Sequence, residues 1–272
     1  MSSDFHTPPE LVDTQTFADS SVQLIDMIFP GDTNHHGTLF GGVALAHMDK
    51  VAFLTATRHG RAPFVTACSE RIDFNAPGFS GEIVEVSGQL TRVGRSSLDV
   101  EVTVTAEALV SGERRTLTRG LFTMVARKGP ETRLPLPPMP PRPAIEDENA
   151  PLRMVEMVFP TSTNHHGNLF GGDAMKMMGK AAFIAATRFT REIVVMASSS
   201  RIDFTSPIRE GAMIELIPRV RMAGRSSLLV EVQMWSEELL TGARNHAATA
   251  RFTMVSVDEE GKSKPFTAAT PL

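Results

Sequence analysis

The chain states nearly the same sequence twice. Phe29-Pro30 returns as Phe159-Pro160, Asn34-His35-His36-Gly37 as Asn164-His165-His166-Gly167, and Leu39-Phe40-Gly41-Gly42 as Leu169-Phe170-Gly171-Gly172. Gly94-Arg95-Ser96-Ser97 returns as Gly224-Arg225-Ser226-Ser227, and Phe122-Thr123-Met124-Val125 as Phe252-Thr253-Met254-Val255. Every pair lies 130 positions apart, so the copies align without an insertion. That period is far longer than a solenoid repeat and identifies a duplicated domain. Two copies with the same loops make the same fold. Where they differ, their tasks have diverged.

A length of 272 residues suits two domains, each large enough to bury a core. The expected division is a polar N-terminal arm over 1–20, a first domain over 21–127, a connector over 128–150, a second domain over 151–257 and a tail over 258–272. The connector carries prolines throughout Leu134 to Pro143. Each one removes a backbone donor, so an extended linker is expected there rather than a strand. The net charge of -4 weighs against a nucleic-acid partner. The single cysteine, Cys68, excludes an internal disulfide and fits a reducing compartment. Ser198 stands at the matching position, which excludes a cysteine nucleophile common to both copies. The N-terminus lacks a basic region followed by an apolar one, and no apolar run reaches membrane-spanning length. A cytoplasmic protein is expected.

Within a copy the order of elements is legible. A short apolar strand (22–29) enters a loop (30–39). A helix follows from about Phe40 to Arg58, apolar almost all round and so expected to be buried. Period-two stretches around Ile83, Val86, Leu98, Val100, Val102 and Val104 fit strands, with Gly94 and Gly224 as hairpin turns. An antiparallel sheet wrapped around one central helix satisfies this order. Arg71-Ile72-Asp73-Phe74 and Arg201-Ile202-Asp203-Phe204 read as central strands with a structural ion pair at a domain contact.

The run Asn-x-x-Gly-x-x-Phe-Gly-Gly opening the helix, followed some fifty residues on by Gly-Arg-Ser-Ser, resembles the acyl-CoA hydrolases of the hotdog fold. The tandem arrangement is similar to the double-hotdog acyl-CoA thioesterases. The resemblance implies an α+β chain of two hotdog domains that hydrolyses fatty acyl-CoA to free fatty acid and coenzyme A, in clefts between paired domains. It also implies self-association, expected here as a homotrimer of chains. Coenzyme A enters as part of the substrate, and no separate cofactor is expected.

In that family the loop before one helix supplies an Asn or Asp, and the middle of the partner domain's helix supplies a carboxylate. The loop position is Thr38 in the first copy and Asn168 in the second; the helix position is Asp49 and Gly179. One cleft would therefore join Asn168 to Asp49, and the other would join Thr38 to Gly179 and hold no carboxylate. Asp49 lies mid-helix among Ala44, Leu45, Met48, Ala52 and Phe53. Burying a carboxylate there is costly unless it is used or paired with a cation such as Lys50 or Arg58. Gly171 and Gly172 begin a helix, where unpaired amides and the helix dipole suit an oxyanion. Asp49 is read as general base, with nucleophilic attack through an anhydride as the rival, and Asn168 as the orienting amide. Gly94, Arg95, Ser96 and Ser97, with Gly224, Arg225, Ser226 and Ser227, are read as grips on the phosphates of coenzyme A, with charge added by Arg92 and Arg221. The histidine pairs 35–36 and 165–166 lack a third ligand at chelating spacing, so no metal is expected. Met175, Met177 and Met178 read as core filler. A non-catalytic acyl-CoA sensor would need an output module, which the flanks do not show. A hydratase or dehydratase acting on thioesters is the remaining alternative, and it would release no thiol.

Overall fold

The computed structural model describes residues 22–129, 132–140 and 152–266. The expected arm (1–20) and the later part of the connector (141–150) lie outside the described residues. The first copy runs β1 (Val22–Met27), α1 (Gly41–Gly60), β2 (Phe64–Ser69), β3 (Asp73–Phe74), β4 (Ile83–Val93), β5 (Ser97–Glu107), β6 (Arg114–Lys128) and β7 (Thr132–Arg133). The second runs β8 (Met154–Met157), α2 (Gly171–Thr190), β9 (Val194–Ser199), β10 (Asp203–Phe204), β11 (Met213–Ala223), β12 (Ser227–Glu237) and β13 (Arg244–Ser256). The first sheet is antiparallel in the order β1-β4-β5-β6-β2, with β3 and β7 also paired to β6; the second runs β8-β11-β12-β13, with β9 and β10 both on β13. Each sheet curls around its own helix. These are tandem hotdog folds.

The pattern of apolar residues produces this directly. Leu98, Val100, Val102, Val104 and Ala106 are buried at every second position of β5, as a half-buried strand requires. On α1, Ala44, Met48, Val51, Ala52 and Thr55 face the sheet at helical spacing. Gly88 of β4 lets that face come close: a β-carbon there would collide with the Thr55 hydroxyl.

Neither domain closes its core alone. Ile25 and Ile83 of the first copy pack into the second copy's apolar cluster, while Val155 and Met213 pack into the first copy's. Around this seam run matched ion pairs. Lys50 meets Glu156 at 2.8 Å, and its counterpart Lys180 meets Asp26 at 2.7 Å. Arg188 reaches Glu85 at 2.9 Å and Glu107 at 2.7 Å; Arg58 reaches Glu237 at 3.5 Å and Glu215 at 4.0 Å. Burial alone would raise the carboxyls of Glu85 and Glu107, but Arg188, with Arg114 on Glu85 and Arg191 on Glu107, holds both below the usual glutamate value.

Two expectations are corrected. The 71–74 and 201–204 segments are not central strands: β3 and β10 are two residues long and exposed. Their ion pairs, Arg71–Asp73 at 3.0 Å and Arg201–Asp203 at 2.9 Å, are local and exposed rather than between domains. The connector and tail also hold ladder bonds. The Leu134 amide donates to Ala126 O (3.1 Å) and Leu136 to Arg95 O (3.0 Å). The same bonds recur 130 positions on, from Lys264 to Ser256 O and from Phe266 to Arg225 O. The structural repeat thus continues to Leu136 and Phe266.

Candidate active site

Asp49 is not buried among apolar neighbours. It is exposed, at the end of a stripe formed by Gly42, Leu45, Ala46 and Asp49. These residues are spaced three and four apart and so share one helix face. The helix was expected to be buried all round because the stripe is itself mostly small or apolar; hydropathy does not separate a core face from the wall of a cleft. Lys50 and Arg58 do not neutralise Asp49, since both reach across to the second copy. Its partner is Thr66 of β2, whose hydroxyl donates to Asp49 Oδ1 at 2.6 Å. The ladder with β6 slips between Thr66 and Cys68, a bulge of the kind that re-aims a side chain.

At the matching positions of the second copy stand Gly179 and Met196. A β-carbon on Gly179 would sit 2.9 Å from Met196 Cε. The carboxylate–hydroxyl pair of one copy is thus replaced by an apolar contact in the other. Lys176 takes the place of Ala46 on the second stripe. Thr66 went unnoticed in the sequence, although its change to Met196 at the same offset was there to be read.

The second copy's loop meets α1 at its Phe159 end. Lys50, adjacent to Asp49, bonds Glu156 at the start of that loop's approach, and its ammonium lies 5.3 Å from the centroid of the Phe159 ring. From Phe159 the chain passes through Asn164 and Asn168 to Gly171. Asn164 Oδ1 accepts the amides of His166 (2.9 Å) and Asn168 (3.2 Å), which sets the turn. In the first copy Asn34 makes the same turn, but its Nδ2 also donates to the Thr38 hydroxyl at 2.9 Å. Asn168 replaces that hydroxyl, and Asn164 Nδ2 has no hydrogen-bond partner among the described residues. Asn164 is the second residue that pattern reading passed over, because both copies carry it.

Gly171 and Gly172 open α2 after an extended Phe170, which offers no side-chain cap. No carbonyl among the described residues accepts their amides. Nothing lies within 4 Å of a β-carbon built on Gly171, so the approach to its backbone is open.

The Gly-Arg-Ser-Ser turns join β4 to β5 and β11 to β12, closed by Gly94 N to Ser97 O and Gly224 N to Ser227 O, both 2.7 Å. Arg92 and Arg221 do not add free charge to them. Arg92 forks onto Asp99 at 2.6 and 3.0 Å, and Arg221 bonds Glu231 at 2.8 Å. The hydrogen bond from Arg92 holds the Asp99 carboxyl below its ordinary value. Arg92 sits two residues before its turn, directly across the ladder from Asp99, whereas Arg221 sits three residues before its turn, at the bulge between Val220 and Met222. Among the described residues no group of three His, Cys, Asp or Glu gathers as a metal set; the histidine rings of each pair lie against each other at a tilt of 44°, 3.8 and 3.9 Å between ring centroids.

The fold and this geometry define a tandem hotdog protein whose copies differ at a pair of positions, Asp49–Thr66 in the first and Gly179–Met196 in the second. A profile of the Thioesterase superfamily matches residues 36–112 and 166–243, and the chain belongs to that family. It is similar to a crystal structure of an acyl-CoA hydrolase from Agrobacterium tumefaciens, 47% identical, TM-score 0.81, over 91% of this chain and 98% of that one. It is 25% identical to the human cytosolic acyl coenzyme A thioester hydrolase over 89% of this chain and 76% of that protein. A Bacillus subtilis protein described as an uncharacterized acyl-CoA thioester hydrolase is 36% identical over 48% of this chain and 77% of its own length. The homotrimer expectation is corrected: two solved acyl-CoA thioesterases, 36% and 28% identical over about half of the chain with TM-scores 0.45 and 0.40, are hexameric. Subunit number is set by how exposed faces meet, which a repeat pattern does not encode. Among the described residues no helix is long and apolar enough to cross a membrane.

Proposed function

We propose that the chain hydrolyses acyl-CoA thioesters at one composite site, between α1 of the first copy and the 159–172 loop of the second. The observation that carries this reading is the Asp49–Thr66 pair, solvent-facing and held at 2.6 Å, set against Gly179–Met196 at the pseudo-equivalent place. A fold that needed only structure at this position would not keep an exposed carboxylate pinned in one copy and abolish both members in the other.

The chemistry follows from the parts. Thr66 fixes one carboxylate oxygen and leaves the other to accept a proton from water. Asp49 acts as base while that water attacks the thioester carbon. The carbonyl oxygen gathers negative charge within reach of the free amides of Gly171 and Gly172, at the positive end of α2. Asn164 Nδ2 and the Asn168 amide orient the carbonyl and the water. Collapse of the tetrahedral intermediate expels the coenzyme A thiolate, which takes up the proton, and the carboxylic acid leaves. The apolar stripe of Leu45 and Ala46 suits the acyl or pantetheine chain beside this centre. The names of the matched relatives place thiol-ester hydrolysis on acyl-CoA, the human one in the cytosol, and the same substrate class and compartment are proposed for this chain.

The test is thiol release from a panel of acyl-CoAs by the wild type, Asp49→Ala, Asn164→Ala and Asn168→Ala, with folding followed by circular dichroism. Hydrolysis by the wild type and collapse in folded Asp49→Ala supports the composite site. Full activity in Asp49→Ala would reject it. Absence of thiol from every acyl-CoA would reject the reaction itself.

A further inference from the structure

The two copies also differ beside the loop that carries Asn168. In the first copy the chain fills this place itself. The Arg115 guanidinium of β6 donates to the Glu82 carboxylate at 2.5 Å and to Pro77 O at 3.1 Å. It lies 5.1 Å from the centroid of the Phe79 ring. Glu82 also accepts the Phe79 amide at 2.8 Å. A cation, an anion and a ring thus join the segment before β4 to the start of β6.

The second copy removes all three. At the same offset of 130, Asn245 stands for Arg115, Ala212 for Glu82 and Arg209 for Phe79. A cavity of about 390 Å³ lies there, in the range of small-molecule sites, with Pro207, Leu239 and Leu240 as apolar lining. Its polar lining is unlike that of the first copy. The Arg209 guanidinium makes no hydrogen bond or ion pair among the described residues, and neither does the Asn245 side chain. The Arg209 amide, which matches the amide that Glu82 accepts in the first copy, has no acceptor among them either. Glu210 and Glu238 stand on the same cavity where the first copy has Ser80 and Ala108. Neither has a cation among the described residues, and Glu238 is bonded only to the Thr241 hydroxyl, at 2.8 Å. The donors that held an internal carboxylate remain without one, and two carboxylates have been added nearby. A ligand that carries both a carboxylate and an ammonium satisfies the two sets together, through charge-assisted hydrogen bonds and with no net charge to neutralise. An apolar side chain on that ligand suits Leu239 and Leu240.

The position adds weight to the reading. The Leu169 amide donates to Ile208 O at 2.8 Å and the Glu210 amide to Gly167 O at 3.0 Å. These bonds bracket the bridge between Asn168 and Arg209. A ligand on Arg209 therefore binds the segment that holds the Asn168 loop.

We infer that this cavity of the second copy binds an α-amino acid with an apolar side chain, one per chain. Arg209, through its guanidinium and its amide, takes the carboxylate with Asn245, and Glu210 and Glu238 take the ammonium. The experiment is isothermal titration of the full chain with L-leucine, with 4-methylpentanoate, which lacks the ammonium, and with isopentylamine, which lacks the carboxylate. The wild type is compared with Arg209→Gln and with the double variant Ala212→Glu, Asn245→Arg, which rebuilds the ion pair of the first copy. The wild type is expected to bind one leucine with Kd below about 1 mM, and the two partial probes about tenfold or more weaker. Arg209→Gln should weaken leucine about tenfold, and the double variant should abolish its binding. Thermal melting checks that each variant is folded; Arg209 is exposed, so Arg209→Gln carries the test alone if the double variant fails to fold. No binding of leucine below about 1 mM, equal affinity for 4-methylpentanoate, or unchanged affinity in Arg209→Gln would overturn the inference. The readout is binding alone, so the result stands whether or not the chain releases thiol from acyl-CoA.

Discussion

At the scale of single residues, the site is defined by differences between two otherwise equivalent places. Asp49→Asn keeps the shape and removes the base, and kcat is expected to fall about 10²- to 10⁴-fold. Thr66→Val removes the hydroxyl that orients the carboxylate without touching the carboxylate itself; kcat should drop about tenfold with little change in KM. A rise in KM at constant kcat would mean that Thr66 lines the binding path instead. If Asp49 acts as a base on water, one turnover in 18O-labelled water leaves the label in the fatty acid and none in the peptide carrying Asp49. Label in that peptide would establish the anhydride route. Much of this was legible from the repeat: Asp49 against Gly179 and Thr38 against Asn168 are visible in the letters alone. Thr66 was hidden because a threonine in a strand carries no signal until its neighbour across the fold is known. Asn164 was hidden for the opposite reason, since identity between copies conceals a role that depends on what stands four residues later.

At the scale of elements, the helix ends show how local strain is tied to the domain seam. α1 and α2 both stop at an arginine in the left-handed region, Arg61 at φ 46° and Arg191 at φ 54°, where glycine is usual. The arginines are there because their side chains cross to the other copy: Arg61 to Glu237 at 2.6 Å and Arg191 to Glu107 at 2.7 Å. Both acceptors are buried carboxylates. Arg191→Gly relieves the backbone while losing the bond; Arg191→Ala loses the bond and keeps the strain. Because Glu107 retains Arg114 and Arg188, Arg191→Ala should cost only about 1–2 kcal/mol, and Arg191→Gly less, in urea unfolding. If Ala proved no worse than Gly, backbone strain at the cap would be negligible. The strands and helices themselves were readable from periodicity. The caps were not, because the sequence rule for a helix end looks for glycine or asparagine and finds arginine.

At the scale of the whole molecule, the two domains share core residues and ion pairs, so they are expected to unfold as one unit, and pH should reveal it. Glu85, Glu107 and Glu231 all titrate below the ordinary 4.5 in the fold because, against the cost of burial, arginines bond their charged forms. Their contribution is complete above about pH 4.5 and is lost as pH falls through the folded values. His47 acts at milder pH. Burial, and then Lys50, push it below its ordinary 6.5 against the opposing pull of Asp26, Glu156 and Asp32, and its Nδ1 is buried without a partner. The unfolded chain thus takes up that proton first, so stability begins to fall below about pH 6.5. His59 and His246, lowered mainly by burial, add to the same slope. The melting temperature should be flat from pH 8 to 6.5, decline gently below that, and drop steeply under about pH 4.5. His47→Gln should flatten part of the gentle slope and leave the steep one intact. Glu231 is held within its own copy by Arg221 and Arg251, but Arg188 and Arg191 of the second copy hold Glu85 and Glu107, and Arg58 and Arg61 of the first hold Glu237, so acid should unfold both domains in a single transition. Two separate transitions, or a folded monomer from residues 1–140 alone, would mean that the exchanged residues Ile25, Ile83, Val155 and Met213 are not essential to either core, and that the duplication is one of two independent domains.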